Sequence, residues 1–192
     1  MSRDDTGRQF GMARGKVFPA ERARSLTNPL RRVVQSPKRT VAAMGVAADD
    51  RVLEVGSGPG FFSPHLASAA ARGQVVVLDL QLGMLGRARE RLAEHRHASL
   101  VAADATRLPF RSGQFDLVVL ATMLGEIPDV VGGLSEVHRV LRLGGLAAVA
   151  ETRRDSDFIP LGRLRQLFED HGFLLGDRHG PPFQYVARFR AI

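Results

Sequence analysis

The sequence predicts an α/β fold, in which helices cover a mostly parallel β-sheet. Three observations predict it. From Arg51 onward, apolar runs of strand length alternate with longer segments of helical period. These apolar runs are continuous rather than alternating, as expected of strands buried on both faces. A glycine-rich turn directly follows the first run, at the position where open parallel sheets commonly bind a ligand.

Five strands, four helices and a terminal hairpin are predicted from Arg51 to the end of the chain. The strands are expected at 51–56, 74–80, 99–104, 115–121 and 146–151, and the helices at about 61–71, 83–96, 129–141 and 160–171. Two further strand-like runs, near 172–177 and 183–190, flank Gly180-Pro181-Pro182. Since a parallel crossover needs a dozen or more residues, these two runs must pair antiparallel.

Local signals mark several element ends. Ser36, Pro37 and Gly45 are of the types expected at the N-cap, the first position and the end of a helix. In the segment LRLGG, Gly144 is expected to end the helix by a left-handed cap and Gly145 to begin the fifth strand.

The N-terminal segment carries the whole net charge of +7. Residues 1–40 hold ten Lys and Arg against three acids, and the remainder is balanced. We predict a basic helical segment at 1–40, acting as a lid, and one globular domain at 41–192, with residues 1–15 disordered. Such a charge could meet an anionic substrate, nucleic acid or a membrane surface, or be a solvated face. Its two Phe residues are not interleaved as a base-stacking platform requires.

Composition narrows the chemistry. The balance of 44% hydrophobic and 24% charged residues is that of a globular protein. No apolar run is long enough to span a bilayer and no secretory signal is recognisable, so a cytoplasmic protein is expected. The sequence has no cysteine, which removes disulfides, thiolate metal ligands and thiol nucleophiles. No metal is expected, and a monomer and a homodimer both remain open.

Chemistry-bearing residues fall where the predicted strands end. Gly56, Gly58 and Gly60 follow the first strand, preceded by Glu54, and provide bare backbone for a ligand to approach. Asp79 ends the second strand 23 residues after Gly56, a placement suited to accepting hydrogen bonds from a ribose diol.

The third and fourth strands end in the same way. Asp104 follows the third strand and is suited to accepting from an exocyclic amine, and the segment 120–129 leaves the fourth strand over the expected substrate position. A dinucleotide fingerprint would place its third glycine at position 61, which is Phe61. A ligand with an adenosine but no pyrophosphate therefore fits better, and a nicotinamide-dependent oxidoreductase is the least favoured alternative.

Five segments together resemble the class I S-adenosylmethionine-dependent methyltransferases, over about residues 25–190. They are VLEVGSGPGFFSPHLA, VVVLDLQLGMLGRAR, VAADATRLPF, FDLVVLATMLGEIPD and EVHRVLRLGGLAAVAE. The resemblance is closest to the small-molecule branch that includes the ubiquinone/menaquinone-biosynthesis C-methyltransferases and arsenite methyltransferase-like proteins. Arsenite chemistry is discounted because that activity depends on cysteines. The resemblance implies a Rossmann-like seven-stranded sheet of order 3-2-1-4-5-7-6, strand 7 antiparallel, flanked by helices with N-terminal lid helices.

The resemblance also implies S-adenosyl-L-methionine as the cofactor and assigns residues to it. Residues facing its methionine portion would be Gly56, Ser57, Gly58 and Gly60, with Glu54 near the ammonium group and Ala121 and Thr122 near the transferred methyl. Asp79 would hold both ribose hydroxyls. Leu80 and Met84 would sandwich the adenine, and Asp104 with Ala105 would recognise its edge. Leu80 and Met84 could instead be core residues, and Asp104 a helix cap.

The reaction offers few further signals, because a sulfonium already carries an activated methyl group and the protein mainly has to align the acceptor and exclude water. Related sequences often have a His where this chain has Gly125. Glu126 is the nearest ionisable candidate for a catalytic or acceptor-binding role, or it begins a helix. By analogy with the family's lid helices, Arg31 or Arg32 would bind an anionic group of the acceptor.

The leading prediction is methyl transfer to a small organic acceptor by in-line displacement. A non-catalytic S-adenosylmethionine-binding module and a nucleic-acid methyltransferase that uses the basic segment are the alternatives. The latter is disfavoured because TMLGEIPD lacks the Asn/Asp-Pro-Pro-aromatic run associated with methylation of base amino groups. Transient membrane contact by the N-terminal segment is left open.

Overall fold

The computed structural model describes residues 35–155 and 157–192. Most of the predicted N-terminal lid, with Arg31, Arg32 and the segment expected to be disordered, lies outside the described residues. The described elements are α1 (Pro37–Met44), β1 (Arg51–Val55), α2 (Ser63–Ala69), β2 (Gln74–Asp79), α3 (Leu82–Arg91), β3 (Ala98–Ala102), β4 (Phe115–Ala121), a 3-10 helix (Leu124–Glu126), α4 (Val130–Val140), β5 (Leu141–Thr152), α5 (Leu161–Glu169), β6 (Phe173–His179) and β7 (Gln184–Ala191).

The seven strands form one sheet in the order β3-β2-β1-β4-β5-β7-β6. The first five strands pair in parallel, whereas β7 runs antiparallel to both β5 and β6. The order implied by the family resemblance and the antiparallel hairpin deduced from the short connection are both confirmed. Because β1 and β4 are neighbours at the centre of the sheet, their carboxyl ends flank the point where the strand order reverses.

Two apolar layers enclose the sheet, and alternate residues of the central strands contribute to each. Leu53 and Val55 of β1 join the layer under α4 and α5. Val52 of the same strand joins the layer under α1, α2 and α3. The central strands are therefore buried on both faces, which accounts for their continuous apolar runs.

The predicted caps of the first helix are confirmed. The Ser36 hydroxyl accepts from the Arg39 N–H at 3.5 Å, and Pro37 occupies the first helical position. Gly45 adopts a left-handed conformation with φ of 75°, which allows its N–H to bond the Ala42 carbonyl. None of the described helices is long and apolar enough to cross a membrane.

The prediction that Gly144 ends a helix is wrong. Helix α4 ends at Val140, and Leu141 follows it in an extended conformation. Gly144 does have a positive φ, of 72°, but it lies within β5 beside a register shift in the pairing with β4. Gly145 does not begin β5, and a Cβ there would lie 2.8 Å from the Arg142 carbonyl oxygen. Gly144 and Gly145 therefore lie in the irregular part of β5, where its pairing with β4 shifts register.

Other element ends differ from the prediction by a few residues. Helix α3 ends at Arg91, five residues early, because the Leu92 N–H bonds back to the Ala88 and Arg89 carbonyls and the chain then turns. Strand β3 ends at Ala102, so Asp104 lies in the loop beyond it.

A side-chain clamp fixes the loop that carries Asp104. The Arg139 guanidinium donates to the carbonyls of Leu108 and Phe110 at 3.0 and 2.8 Å. It also pairs with Glu136, whose other oxygen accepts from the Leu108 N–H at 2.7 Å. Helix α4 thus holds the chain between β3 and β4 through both backbone donors and acceptors.

Loss of this clamp should destabilise the fold. We expect Arg139→Met to lower the free energy of unfolding in urea by roughly 1–3 kcal/mol, because backbone carbonyls and Glu136 lose their partner. The control is Arg165→Met, which removes an exposed i,i+4 pair with Glu169 on α5; such pairs contribute only about 0.3–0.5 kcal/mol. Equal effects of the two substitutions would contradict the clamp.

Candidate cofactor-binding site

A cavity of about 220 Å³ lies at the carboxyl ends of β1, β2 and β4. It brings together twelve of the thirteen candidate cofactor and catalytic residues that the described part of the chain contains. These are Glu54, Gly56, Ser57, Gly58, Asp79, Leu80, Met84, Asp104, Ala105, Ala121, Thr122 and Glu126. Residues far apart in sequence meet here because the parallel strands end at one edge of the sheet.

Gly60 is the candidate that does not line the cavity. Its φ is 77°, and a Cβ there would lie 3.0 Å from the Ala88 Cα of helix α3. The absent side chain therefore lets the turn after β1 pack against a neighbouring helix. Gly56, by contrast, borders the cavity, and a Cβ there would lie 2.7 Å from the Cε of Met123.

Asp79 joins the two turns that form the floor of the cavity. Its Oδ2 atom accepts from the Gly58 N–H at 2.8 Å, and its Oδ1 atom accepts from the Gln81 N–H at 2.9 Å. The residue is 7% exposed. Burial raises the pKa of Asp79, and these backbone hydrogen bonds oppose that rise. The carboxylate is thus fixed in direction at the cavity wall.

Leu80 and Met84 form an apolar part of the wall beside Asp79. Leu80 is 54% exposed although it is a large apolar residue, whereas Met84 is 2% exposed. Met84 is therefore both a core residue and a cavity residue. Exposed apolar surface at the mouth of a cavity suits contact with a flat apolar ligand group such as a purine ring.

Asp104 lies on the far side of this apolar wall. Its Oδ1 atom accepts from the N–H and the hydroxyl of Thr106, each at 2.8 Å. No helix within residues 35–155 begins at this position, so the helix-cap alternative is wrong. The hydrogen bonds form a turn that holds the carboxylate in place.

Glu54 is a buried acid at the base of the cavity. It is 1% exposed and accepts a hydrogen bond from the Ser63 hydroxyl at 2.5 Å. Burial, with a smaller contribution from the charge of Asp79, raises the pKa of Glu54 to about 8. A cationic group bound beside it would favour the ionised form, so this position fits the ammonium group of the predicted cofactor.

The cavity is also lined by the chain leaving β4 and by a loop that the sequence did not indicate. Thr122 has a φ of 51° and donates its N–H to the Ala150 carbonyl at 2.8 Å. Asp155 and Asp157, in the loop after β5, also line the cavity. In open parallel sheets, ligand-binding residues follow the carboxyl ends of the strands. Extending this expectation from the first four strands to the fifth would have identified Asp155 and Asp157.

The described residues contain no group of three or more His, Asp or Glu side chains placed to hold a metal ion. The donor set of the cavity is carboxylate and backbone, in a setting suited to an organic ligand.

A family model described as "Methyltransferase domain" matches residues 53–149, from β1 into β5. The chain belongs to the methyltransferase domain family. The match includes all of the predicted cofactor residues, and it supports a class I methyltransferase with S-adenosylmethionine as its cofactor.

Two relatives named demethylmenaquinone methyltransferase are similar to part of this chain. The protein from Mycobacterium sp. strain KMS is 39% identical over 114 residues, which cover 59% of this chain and 46% of that protein. The protein from Staphylococcus aureus strain JH9 is 34% identical over 116 residues, covering 60% of this chain and 48% of its own. The chain therefore matches about half the length of these relatives.

Solved structures share the architecture over nearly the whole chain. An S-adenosylmethionine-dependent methyltransferase from Aquifex aeolicus superposes with a TM-score of 0.79 at 20% identity, covering 91% of this chain and 98% of that one. At this identity the likeness concerns the fold alone, and it includes the terminal hairpin.

The buried carboxylate of Asp79 should be required for cofactor affinity. Asp79→Ala is expected to weaken binding of S-adenosylhomocysteine by roughly 1–3 kcal/mol, because charge-assisted hydrogen bonds are lost. Calorimetric titration measures this loss, with Glu94→Gln, a change at an exposed acid of the loop before β3, as the control. An unchanged dissociation constant for Asp79→Ala would contradict the assignment.

Glu54 should make stability depend on pH in a defined direction. Because its folded pKa is about 8 against an ordinary 4.5, folding takes up a proton between these values, and stability falls as pH rises through this window. An amide binds no proton. We therefore expect Glu54→Gln to stabilise the protein by at least about 1 kcal/mol near pH 7.5 and far less near pH 4.5, as measured in urea.

Glu136→Gln provides the opposite control for this experiment. Arg139 lowers the pKa of Glu136, so the wild-type carboxylate stabilises the fold above the ordinary pKa of 4.5 and this contribution disappears in acid. A stabilisation by Glu54→Gln that is the same at both pH values would contradict a buried, neutral Glu54.

Proposed function

We propose that the protein transfers the methyl group of S-adenosylmethionine to a small organic acceptor by in-line displacement. The observation that carries this proposal is the convergence of twelve candidate residues on one cavity, with the Asp79 carboxylate fixed at its wall. Family membership supports the reaction class.

Each part of the cavity has a proposed task in binding. Asp79 accepts hydrogen bonds from the two ribose hydroxyls, and Leu80 and Met84 pack against the adenine. Asp104 with Ala105 borders the adenine edge. Glu54 pairs with the ammonium group, which gives this buried acid a compensating charge.

When bound, S-adenosylmethionine supplies a methyl group on a sulfonium: the acceptor's electron pair forms the new bond to carbon, the C–S pair returns to sulfur, and the acceptor loses a proton. The protein contributes alignment and exclusion of water. Ala121 and Thr122 border the reacting end, and Glu126 is proposed to contact the acceptor or take up its proton. Glu126 lies in the 3-10 helix after β4 and lines the cavity.

For the acceptor, we propose a hydroxylated aromatic ring of the quinol type. The support is the name that the relatives share, demethylmenaquinone methyltransferase, and their identity of 39% and 34% over 59% and 60% of this chain. The match covers about half of each relative, so the acceptor is tested with a panel of compounds.

The basic segment 1–40, with Arg31 and Arg32, is proposed as the lid over the acceptor. Its support is charge complementarity. Six acids line the cavity, whereas no Lys, Arg or His does within the described residues. The N-terminal segment carries all of the chain's excess positive charge. A cationic lid would therefore be attracted to the mouth of this cavity.

Turnover by the full-length protein tests this function. We expect methyl-labelled S-adenosylmethionine to label an acceptor in a panel of short-chain demethylmenaquinol, simple phenols and amines, with one S-adenosylhomocysteine formed per product. Deleting residues 1–30 should leave the dissociation constant of S-adenosylhomocysteine within about twofold and lower turnover strongly, since the lid excludes water and binds the acceptor.

Three results would change this proposal. Tight cofactor binding without turnover on the whole panel would indicate a non-catalytic module. Labelling of RNA or DNA that disappears with residues 1–40 would indicate a nucleic-acid methyltransferase. Unaltered turnover after the deletion would reject the lid.

A further inference from the structure

The loop that follows β5 brings two carboxylates into the acceptor end of the cavity. Asp155 and Asp157 line the cavity, although they lie beyond the residues 53–149 that match the family model. Asp157 is placed by contacts on both sides of it, and these contacts come from three separate strands or the loops that follow them.

The first contact is with Gly125, in the 3-10 helix after β4. A Cβ at position 125 would lie 2.8 Å from the Cβ of Asp157 and 2.8 Å from its carbonyl oxygen. Gly125 does not have a positive φ, so the backbone conformation does not require glycine here. What requires it is the close approach of the loop carrying Asp157.

The second contact anchors the same loop two residues later, at Ile159. The Ile159 N–H donates to the Oε2 atom of Glu151 at 3.2 Å, and its carbonyl accepts from the Tyr185 hydroxyl at 2.5 Å. Glu151 and Tyr185 face each other across β5 and β7, and each is 2% exposed. Both backbone polar groups of Ile159 are thereby held by buried side chains.

The protonation state of Glu151 is consistent with a carboxylate at Asp157 nearby. Burial raises the pKa of Glu151 to about 8, and the nearby charges of Asp155 and Asp157 add to the rise. Near neutral pH the Glu151 side chain is therefore a neutral carboxyl group, and it does not repel the carboxylate of Asp157.

We propose that Asp157 is a specificity-determining residue for the acceptor, held in place by the space at Gly125 and by the Ile159 anchor. Its carboxylate accepts a hydrogen bond from an O–H or N–H group of the acceptor. Acceptors that offer such a donor are selected over analogues in which the same group is alkylated, because the latter leave a carboxylate without its donor. This inference rests on the proposed function and identifies the side chain that selects the acceptor.

Substitutions at positions 125 and 157 test the proposal in the full-length protein, with short-chain demethylmenaquinol as the acceptor. Asp157→Asn should raise the acceptor KM about tenfold or more, while the dissociation constant of S-adenosylhomocysteine stays within about twofold. Gly125→Ala should reproduce that KM change and increase hydrogen exchange in residues 153–160, because its Cβ displaces the loop. Tyr185→Phe, which removes one bond of the anchor, should also increase this exchange.

Gly162→Ala is the matched control. Gly162 lies in the first turn of α5, just after the same loop, and a Cβ there would have nothing within 4 Å. It should leave the acceptor KM and the hydrogen exchange as in the wild type, and it should stabilise the helix slightly.

Failure of this inference is distinguishable from failure of the proposed function. With wild-type turnover present, an unchanged acceptor KM in Asp157→Asn would overturn the role of Asp157. An equal rise in the cofactor dissociation constant would do the same, since the effect would then be general. Without wild-type turnover the proposed function fails, and the acceptor role fails with it. Even then, equal hydrogen exchange of residues 153–160 in Gly125→Ala and Gly162→Ala would show that the space at Gly125 does not position the loop.

Discussion

The hydrogen bond between the Asp79 carboxylate and the Gly58 N–H is the interaction on which the site depends. It connects the turn after β1 with the end of β2, so the two central features of the cavity floor are fixed relative to each other. A buried carboxylate is costly unless hydrogen bonds satisfy it, and here Gln81 supplies a second donor. The glycine turn and the acid are therefore one unit, and a ligand that meets one of them meets the other.

Two buried acids, Glu54 in the cavity wall and Glu151 bound to the loop after β5, link stability to function. Glu54 and Glu151 each have a pKa raised to about 8 by burial, so each reduces stability at neutral pH relative to an uncharged residue. Neither position is explained by packing alone, because an apolar residue would fill the same space at less cost. The loss of stability is understandable if Glu54 compensates a bound cation and Glu151 orients the loop after β5.

Much of the fold and of the cavity lining could be predicted from the sequence. Parallel strands place their last residues at one edge of the sheet, and this does not depend on the conformation of the loops. Asp79, Asp104 and Glu126 follow from that rule, and the terminal hairpin follows from the short connection around Gly180. The packing of Gly60 against α3 could not be predicted, because a glycine that admits a ligand and one that admits a helix look alike in sequence. Asp157 was missed because only the ends of the first four strands were considered, and it follows the fifth. Its exact placement depends on Gly125, Glu151 and Tyr185, and no local pattern encodes contacts between residues so far apart in the chain.

The central claim is that a nucleoside with an amino-acid tail lies across the ends of β1 and β2 with its sugar held by Asp79. A crystal structure of the full-length protein with S-adenosylhomocysteine tests it most directly. We expect both ribose hydroxyls within hydrogen-bonding distance of the Asp79 oxygens, the adenine between Leu80 and Met84, and the amino group directed toward Glu54. A nucleoside bound elsewhere, or a sugar that does not contact Asp79, would show that this binding mode is wrong.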